Sequence, residues 1–317
     1  MTRPTLAISI PTYCRPQQIA LNFAGFMQEA ADLGVLIYIS DDSPDDETER
    51  LTRTVRQSYG NVIYRRNTPS LGHDQNVMQS LLWPDTDYVW VMGDAFRTAT
   101  GGLAAVLDIL TGQDFEFVNR NGLDFRLVGP CSGEEAINLI RNLIWHQTLT
   151  GGTIYHRRVR EWVRKSDLTI HSNFPHLDVI LGYATIHNTS IGWFGRPILE
   201  SAPKNQSYWH HRAFDVFVDD WASVILAHRA ILCSNRIASI LKSHSSNTRL
   251  FNIEFMLHLR DIGHFNWSST RRLYFWDVMH LPRAIIIAIL LIPKYLIPHT
   301  LIAKRTAGRI TKWLRAR

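Results

Sequence analysis

With 317 residues, 45% of them hydrophobic and 11% aromatic, the chain can bury a full α/β core, as one large domain with an appendage or as two modest domains. Three widely spaced cysteines (Cys14, Cys131, Cys233) without a Cys-x-x-Cys pair exclude a disulfide framework and a zinc ribbon, and fit a reducing compartment. Of the net charge of +6, the stretch from Arg271 onward carries +9 (ten Lys and Arg against Asp277), so residues 1–270 carry −3 and the basicity belongs to the tail.

The N-terminus runs directly into Leu6–Pro11 with no signal-peptide pattern, so cytosolic synthesis is expected. Leu6–Ile10 reads as a short buried strand. Pro16 then stands where a helix can begin, with Ile19, Phe23, Phe26 and Ala30 at helical spacing. Val35–Ile39 is a second strand, ended by Ser40-Asp-Asp-Ser-Pro-Asp-Asp46. Residues 46–58 read as an exposed helix, Val62–Tyr64 as a third strand, 73–82 as a helix, and Tyr88–Met92 as a fourth strand that stops at Gly93-Asp94. This alternation predicts parallel βαβ units in an open sheet. Beyond residue 100 the spacing predicts strands at 115–119, 125–129 and 152–155, helices at 134–146 and 176–186, and a long amphipathic stretch at 212–230.

Ligands of open parallel sheets bind beyond the carboxyl ends of the strands. Three polar clusters fall there: Pro11-Thr-Tyr-Cys-Arg15, Asp41-Asp42 and Gly93-Asp94. Any one of them is also ordinary turn chemistry. Their succession at three strand ends points to a site.

Ile10-Pro-Thr-Tyr-Cys-Arg-Pro16, Ser40-Asp-Asp-Ser-Pro-Asp-Asp-Glu-Thr48, Leu71-Gly-His-Asp-Gln-Asn76 and Tyr88-Val-Trp-Val-Met-Gly-Asp94 resemble, in order, the motifs of family 2 glycosyltransferases. The resemblance is to the abequosyltransferase-like branch that builds bacterial surface polysaccharides; it covers residues 5–100 closely and 150–190 loosely. It implies a GT-A-like α/β fold, an open and mostly parallel sheet flanked by helices, over 1–245. Residues 1–100 would form the nucleotide-binding half and 101–245 the acceptor half. Region 246–317 would be a helical, basic and apolar membrane-docking appendage. The implied reaction is inverting transfer of a sugar from a nucleotide-diphosphate donor, UDP favoured, to a lipid-linked glycan.

By the same resemblance Pro11, Thr12 and Tyr13 line the nucleotide pocket, with Arg15 beside them. Asp41 or Asp42 accepts a hydrogen from a uracil-type base, a contact strengthened by the carboxylate charge. Arg65 or Arg66 flanks the base or diphosphate, although an exposed pair at a strand end reads equally well. Gly72, Asp74 and Asn76 bring a helix start, which favours anions, to the ribose and diphosphate.

The family normally holds Mn²⁺ or Mg²⁺ with an Asp-x-Asp or Asp-Asp-Asp cluster, because hard cations need oxygen ligands. Asp94 matches the first of these acids, but Ala95 stands where the metal-binding carboxylate belongs. Three readings stay open: a weak metal on Asp94 alone, basic or imidazole groups at the leaving diphosphate (His210, His211, Arg212), or a non-catalytic protein. The general base falls on Asp178, within Phe174-Pro-His-Leu-Asp178 after the Gly151-Gly-Thr-Ile-Tyr155 strand. Leu177 replaces the acid that usually precedes it, and a helix-surface aspartate is the structural alternative. His171 and His176 lack an obvious third metal ligand. Trp209, Trp221 and Trp267 suit sugar stacking or core packing.

In 273–303 the longest uncharged apolar stretch, 284–293, is half of the roughly 20 residues a span needs. Short interfacial helices, with Trp276, Tyr295 and Trp313 at the headgroups and the basic residues on anionic lipid, are expected instead. The expected place is peripheral, on the cytoplasmic face of the inner membrane, with no nucleic-acid partner. Two rivals are a scaffold derived from a transferase and a nucleotidyltransferase; the second lacks a Gly-rich loop after the first strand.

Overall fold

The apolar run after Thr5 forms β1 (Leu6–Thr12), buried throughout except at Pro11. Such a strand needs cover on both faces, and a parallel sheet wrapped by helices supplies it. In this computed structural model, which describes residues 5–120, 122–201 and 209–297, the chain divides into two compact units. One comprises Met1–Asn205 with Ala230–Leu232; the other comprises Gln206–Arg229 with Cys233–Arg317.

In the first unit β1 lies between β2 (Leu36–Asp41) and β4 (Tyr88–Val91), both parallel to it, and β3 (Val62–Arg66) pairs parallel with β2. A two-stranded antiparallel ribbon joins β5 (Phe96–Thr98) to β10 (Leu199–Ser201). The main sheet continues with β6 (Phe115–Val118), β7 (Cys131–Ser132), β8 (Thr153–His156) and β9 (Ser190–Phe194), giving the order β3-β2-β1-β4-β8-β6-β9-β7. Because β8 is antiparallel to both β4 and β6, those two run in the same direction. Their C-terminal ends therefore open on one edge with those of β1, β2 and β3. The order reverses between β1 and β4, which makes that point the crevice of the sheet.

The first crossover helix, α1 (Pro16–Asp32), starts with Pro at N1, where no N–H is required. It ends at Gly34, whose φ of +68° permits paired bonds from Gly34 and Val35 N–H to Ala31 and Ala30 O. Ile19, Phe23, Phe26, Met27 and Ala30 form its buried stripe against Ile8, Ile10, Ile37 and Ile39. Each large side chain so buried contributes about 1.5–3 kcal/mol. Next come α2 (Glu47–Ser58), α3 (His73–Leu82), α4 (Gly102–Ile109), α5 (Gly133–Leu143), α6 (Arg157–Lys165) and α7 (Pro175–Ile186).

The segment 125–129 is not a strand. It leads into Gly129 at φ +74° and Pro130, Val128 is fully exposed, and the Phe125 carbonyl is taken up by the Trp193 indole at 2.9 Å.

The second unit holds a wide π-type turn over Asp215–Asp220, then α8 (Trp221–Ala227). After α9 (Arg229–Leu232), whose last three residues belong to the first unit, come α10 (Ile237–Thr248), α11 (Ile253–Asp261), α12 (Phe275–Val278) and α13 (Arg283–Leu291). The expected division at residue 245 falls inside α10. Phe214 stacks on Phe251 at 5.3 Å, and Trp221 is fully buried with its indole bonded to Leu241 O, so that tryptophan is core and not a sugar platform. Trp313 and the basic residues from Lys304 onward lie outside the described residues.

Candidate active site

The crevice between β1 and β4 is bridged by side chains. Thr12 Oγ1 donates to Asp94 Oδ2 and Arg15 Nη1 to Asp94 Oδ1, both at 3.0 Å, while Asn22 Nδ2 donates to the Asp94 carbonyl. Burial raises the pKa of Asp94, opposed by the Arg15 charge and the Thr12 hydrogen bond. Beside it, Tyr13 is 57% exposed at the rim.

Asp41 and Asp42 are both buried, and donors of the protein itself occupy them. Asp41 accepts from Ser43 N–H at 3.0 Å and Ser43 Oγ through one oxygen, and from Tyr64 Oη at 2.8 Å through the other. Asp42 accepts from Leu71 N (2.7 Å), Gly72 N (2.8 Å), Ser70 Oγ (2.6 Å) and Asn67 Nδ2 (3.1 Å). Burial acts to raise its pKa, but these four bonds outweigh it and hold the carboxyl below its ordinary value. A carboxylate offers about four acceptor positions. Asp42 has none left for a base, so the geometry gives it the loop at 70–72 to hold.

That loop starts α3. Gly72 has φ +78°, which a side chain would strain, and Asn76 reaches back from the helix to the Ser40 carbonyl at 3.1 Å. Asp74 accepts from His73 Nδ1 at 2.7 Å and from Asn173 N–H at 3.0 Å. The second bond ties the start of α3 to the loop before α7. Arg66 turns away to Asp45 O at 2.9 Å and Glu49 at 3.8 Å, and Arg65 lies over the Trp83 ring.

Asp178, expected as the base, is fully buried in the first turn of α7. One oxygen accepts from His171 N–H at 2.6 Å and the other pairs with His171 Nδ1 at 2.8 Å. A carboxylate so enclosed cannot itself touch an acceptor hydroxyl. The imidazole of His171, 21% exposed, is the outer end of the pair.

Sequence reasoning missed Arg120. It follows β6 on the same edge, and its guanidinium lies 4.6 Å from the centroid of the Phe96 ring. Asn119-Arg120 is a polar strand end like the three that were recognised, and the same rule would have found it. His210, His211 and Arg212 belong to the second unit, where Arg212 faces Asp215 at 3.4 Å and the His211 ring lies 5.3 Å from His264. The side chain of His210 lies outside what the structure describes.

No protein-family model matches the chain. Abequosyltransferase RfbV of Salmonella typhimurium is 34% identical over 111 residues, which is 34% of this chain and 33% of that protein. The match therefore spans about a third of the relative's length. A solved structure of S. aureus TarS residues 1–349 with UDP-GlcNAc superposes with a TM-score of 0.55 at 14% identity, covering 90% of this chain and 89% of that one. The mannosyltransferase PcManGT of Pyrobaculum calidifontis, solved with GDP-Man and Mn²⁺, gives 0.54 at 13% identity over 91% and 86%. The fold is that of GT-A glycosyltransferases. In this GT-A unit the crevice between β1 and β4 is built by the motif residues themselves, Thr12, Arg15 and Asp94.

Proposed function

We propose that the chain is an inverting glycosyltransferase of surface-polysaccharide assembly. It would take a sugar from a nucleoside-diphosphate donor, UDP favoured, and transfer it to a lipid-linked glycan. The observation that carries this reading is the Thr12–Asp94 bond across the point where strand order reverses. It is flanked by a helix start gripped through two backbone N–H groups by Asp42. A crevice of this kind suits a nucleotide, and a helix start suits its phosphates. Tyr13, with Pro11, offers an exposed ring to the base.

For the acceptor side, His171 takes the hydroxyl proton and Asp178 orients the imidazole through Nδ1. This replaces Asp178 itself as the base, and its support is the full burial of the carboxylate. The bond from Asn173 to Asp74 sets the pair beside the helix start that faces the donor. We also propose peripheral docking on the cytoplasmic face of a membrane, and the docking itself is supported by exposed apolar side chains of the second unit. Leu273, Leu291 and Tyr295 are 79%, 67% and 76% exposed, with Arg283 and Lys294 exposed among them. No helix among the described residues is long and apolar enough to cross a membrane.

Thermal stability of the purified protein against UDP, dTDP, GDP and CDP tests the donor reading. A ligand at a hundredfold its Kd adds about 2.7 kcal/mol. One nucleotide should raise Tm; cooperative melting that none of the four shifts would refute the assignment.

A further inference from the structure

The resemblance implies a divalent cation at the turn Gly93-Asp94-Ala95-Phe96, and the donor set there does not suit one. Mg²⁺ and Mn²⁺ are held by several oxygen ligands, with carboxylates supplying the protein's share. Ala95 offers a methyl group. Both oxygens of Asp94 are already engaged, one by the Thr12 hydroxyl and one by the Arg15 guanidinium. A cation at Asp94 would lie beside a fixed positive charge. The desolvation that raises the Asp94 pKa likewise works against concentrated charge at this turn.

A different cation of the chain is built onto the turn. The Phe96 N–H bonds back to Gly93 O at 3.0 Å, which folds the Phe96 ring against Gly93; a Cβ there would lie 3.5 Å from it. On that ring rests the guanidinium of Arg120, 4.6 Å from the centroid. The Arg120 backbone is fixed by donation from its N–H to His146 Nε2 at 3.3 Å. That imidazole is kept neutral, its pKa pushed down to about 4 by burial and by the Arg120 charge. Between the ends of β4 and β6 stands the start of β8. Gly151, just before it, has φ +136°, a backbone conformation that a side chain would strain. A half-buried guanidinium held on an aromatic face is a weakly hydrated, planar donor that matches phosphate oxygens two at a time.

We propose that Arg120, seated on Phe96, takes the place of the divalent cation at the donor's diphosphate, while Arg15 cancels the charge of Asp94. This inference rests on the glycosyltransferase reading and assigns its leaving-group chemistry. In the step, the acceptor hydroxyl oxygen bonds to the anomeric carbon and its proton passes to His171. The bond from that carbon to the phosphate oxygen breaks with its electron pair, and the nucleoside diphosphate departs with one additional negative charge. Arg120 donates to the oxygen on which that charge appears.

The experiment measures affinity by calorimetry for the nucleoside diphosphate that most stabilises the protein, and for the matching nucleoside. Both are measured in chelator and in Mn²⁺, on wild type, R120Q, R120K and A95D. For wild type we expect diphosphate affinity equal within twofold in chelator and in Mn²⁺. R120Q should weaken it about ten- to a hundredfold, the loss of a charge-assisted contact, with nucleoside affinity unchanged. R120K should recover part of that loss. A95D, which adds the absent carboxylate, should bind weakly in chelator and regain affinity in Mn²⁺. Diphosphate binding that wild type loses in chelator, or that R120Q leaves intact, overturns the assignment to Arg120 and leaves the glycosyltransferase reading standing. Binding of none of the four nucleotides overturns both.

Discussion

Asp42→Asn tests whether the second acid of the Asp41-Asp42 pair is a structural clamp. The substitution keeps shape and volume but turns one carboxylate oxygen into an NH₂ group and removes the charge. Of the four donors on Asp42, Leu71 N and Asn67 Nδ2 share Oδ1, while Ser70 Oγ and Gly72 N share Oδ2. The Ser70 hydroxyl can rotate to accept, so the amide will turn its NH₂ towards Ser70 and Gly72. The Gly72 N–H is then left facing a donor, and the bonds from Leu71 and Asn67 persist to a neutral acceptor. Bonds to charged groups contribute about 1.5–3 kcal/mol each, and an orphaned buried donor costs about 1–3 kcal/mol. The sum expected is about 3 kcal/mol, or a fall in Tm of about 6–12 °C for a unit near 200 residues. Urea unfolding and calorimetric melting read it directly, and weaker nucleotide affinity should accompany it because Gly72 begins α3. A loss below about 0.5 kcal/mol with the loop unmoved would refute the clamp.

His171→Asn and Asp178→Asn should each lower transfer by about 10²–10⁴-fold, the range of a lost proton acceptor, with donor affinity unchanged; turnover within threefold of wild type would remove the pair from the mechanism. Leu291→Asp combined with Tyr295→Asp should abolish sedimentation with phosphatidylglycerol vesicles without lowering Tm, since both side chains are already in solvent; unchanged sedimentation would move the docking surface elsewhere. Burial holds the pKa values of His146 and His176 near 4 and that of His244 near 3, against about 6.5 in the unfolded chain. Below pH 6.5 the unfolded chain therefore binds protons that the folded units refuse. Stability is full above that pH and should fall towards pH 4 by up to about 1.4 kcal/mol per unit for each histidine, read by urea titration; a flat profile from pH 7 to pH 5 would contradict it.

The first hundred residues were legible because each strand there is a short apolar run closed by polar turn residues. Expected Leu6–Ile10, Val35–Ile39, Val62–Tyr64 and Tyr88–Met92 correspond to β1 to β4 within two residues, and helix 73–82 is α3. Period and punctuation are local signals, and they suffice when a strand is buried on both faces. Beyond residue 100 the pattern is carried by partners distant in the chain. Ser190–Phe194 contains Gly192 in its centre and reads poorly as a strand, yet β9 needs that glycine, since a Cβ there would collide with the Glu116 carboxylate of β6. Conversely, 125–129 has strand composition and no strand to pair with. The second unit was legible only at its start, in the amphipathic stretch at 212–230 that becomes the π-type turn and α8; the rest of its core, Phe251, Phe265 and Phe275, comes from separate short segments.

The candidate site was legible in place and not in role. Strand ends say where polar groups gather, and every donor-side residue singled out in the first unit lies on that edge. What a carboxylate does there depends on which hydrogen-bond donors reach it, and those come from elements 23 to 82 residues away: Tyr64 to Asp41, Gly72 to Asp42, Thr12 to Asp94. An acid buried at a sheet edge must be satisfied before any ligand arrives, or its desolvation would cost more than the fold can supply. Asp42 therefore has its four acceptor positions committed to the protein and Asp178 has each oxygen bonded to His171, and the proposed chemistry falls to the groups they hold, the α3 start in one case and His171 in the other. Asp94 follows the same logic with Arg15 as its partner. Asp42 stays ionised under its four neutral donors and only Asp94 is paired with a cation, Arg15, so the crevice keeps negative charge and a fixed cation beside it, the role proposed for Arg120, suits an incoming diphosphate.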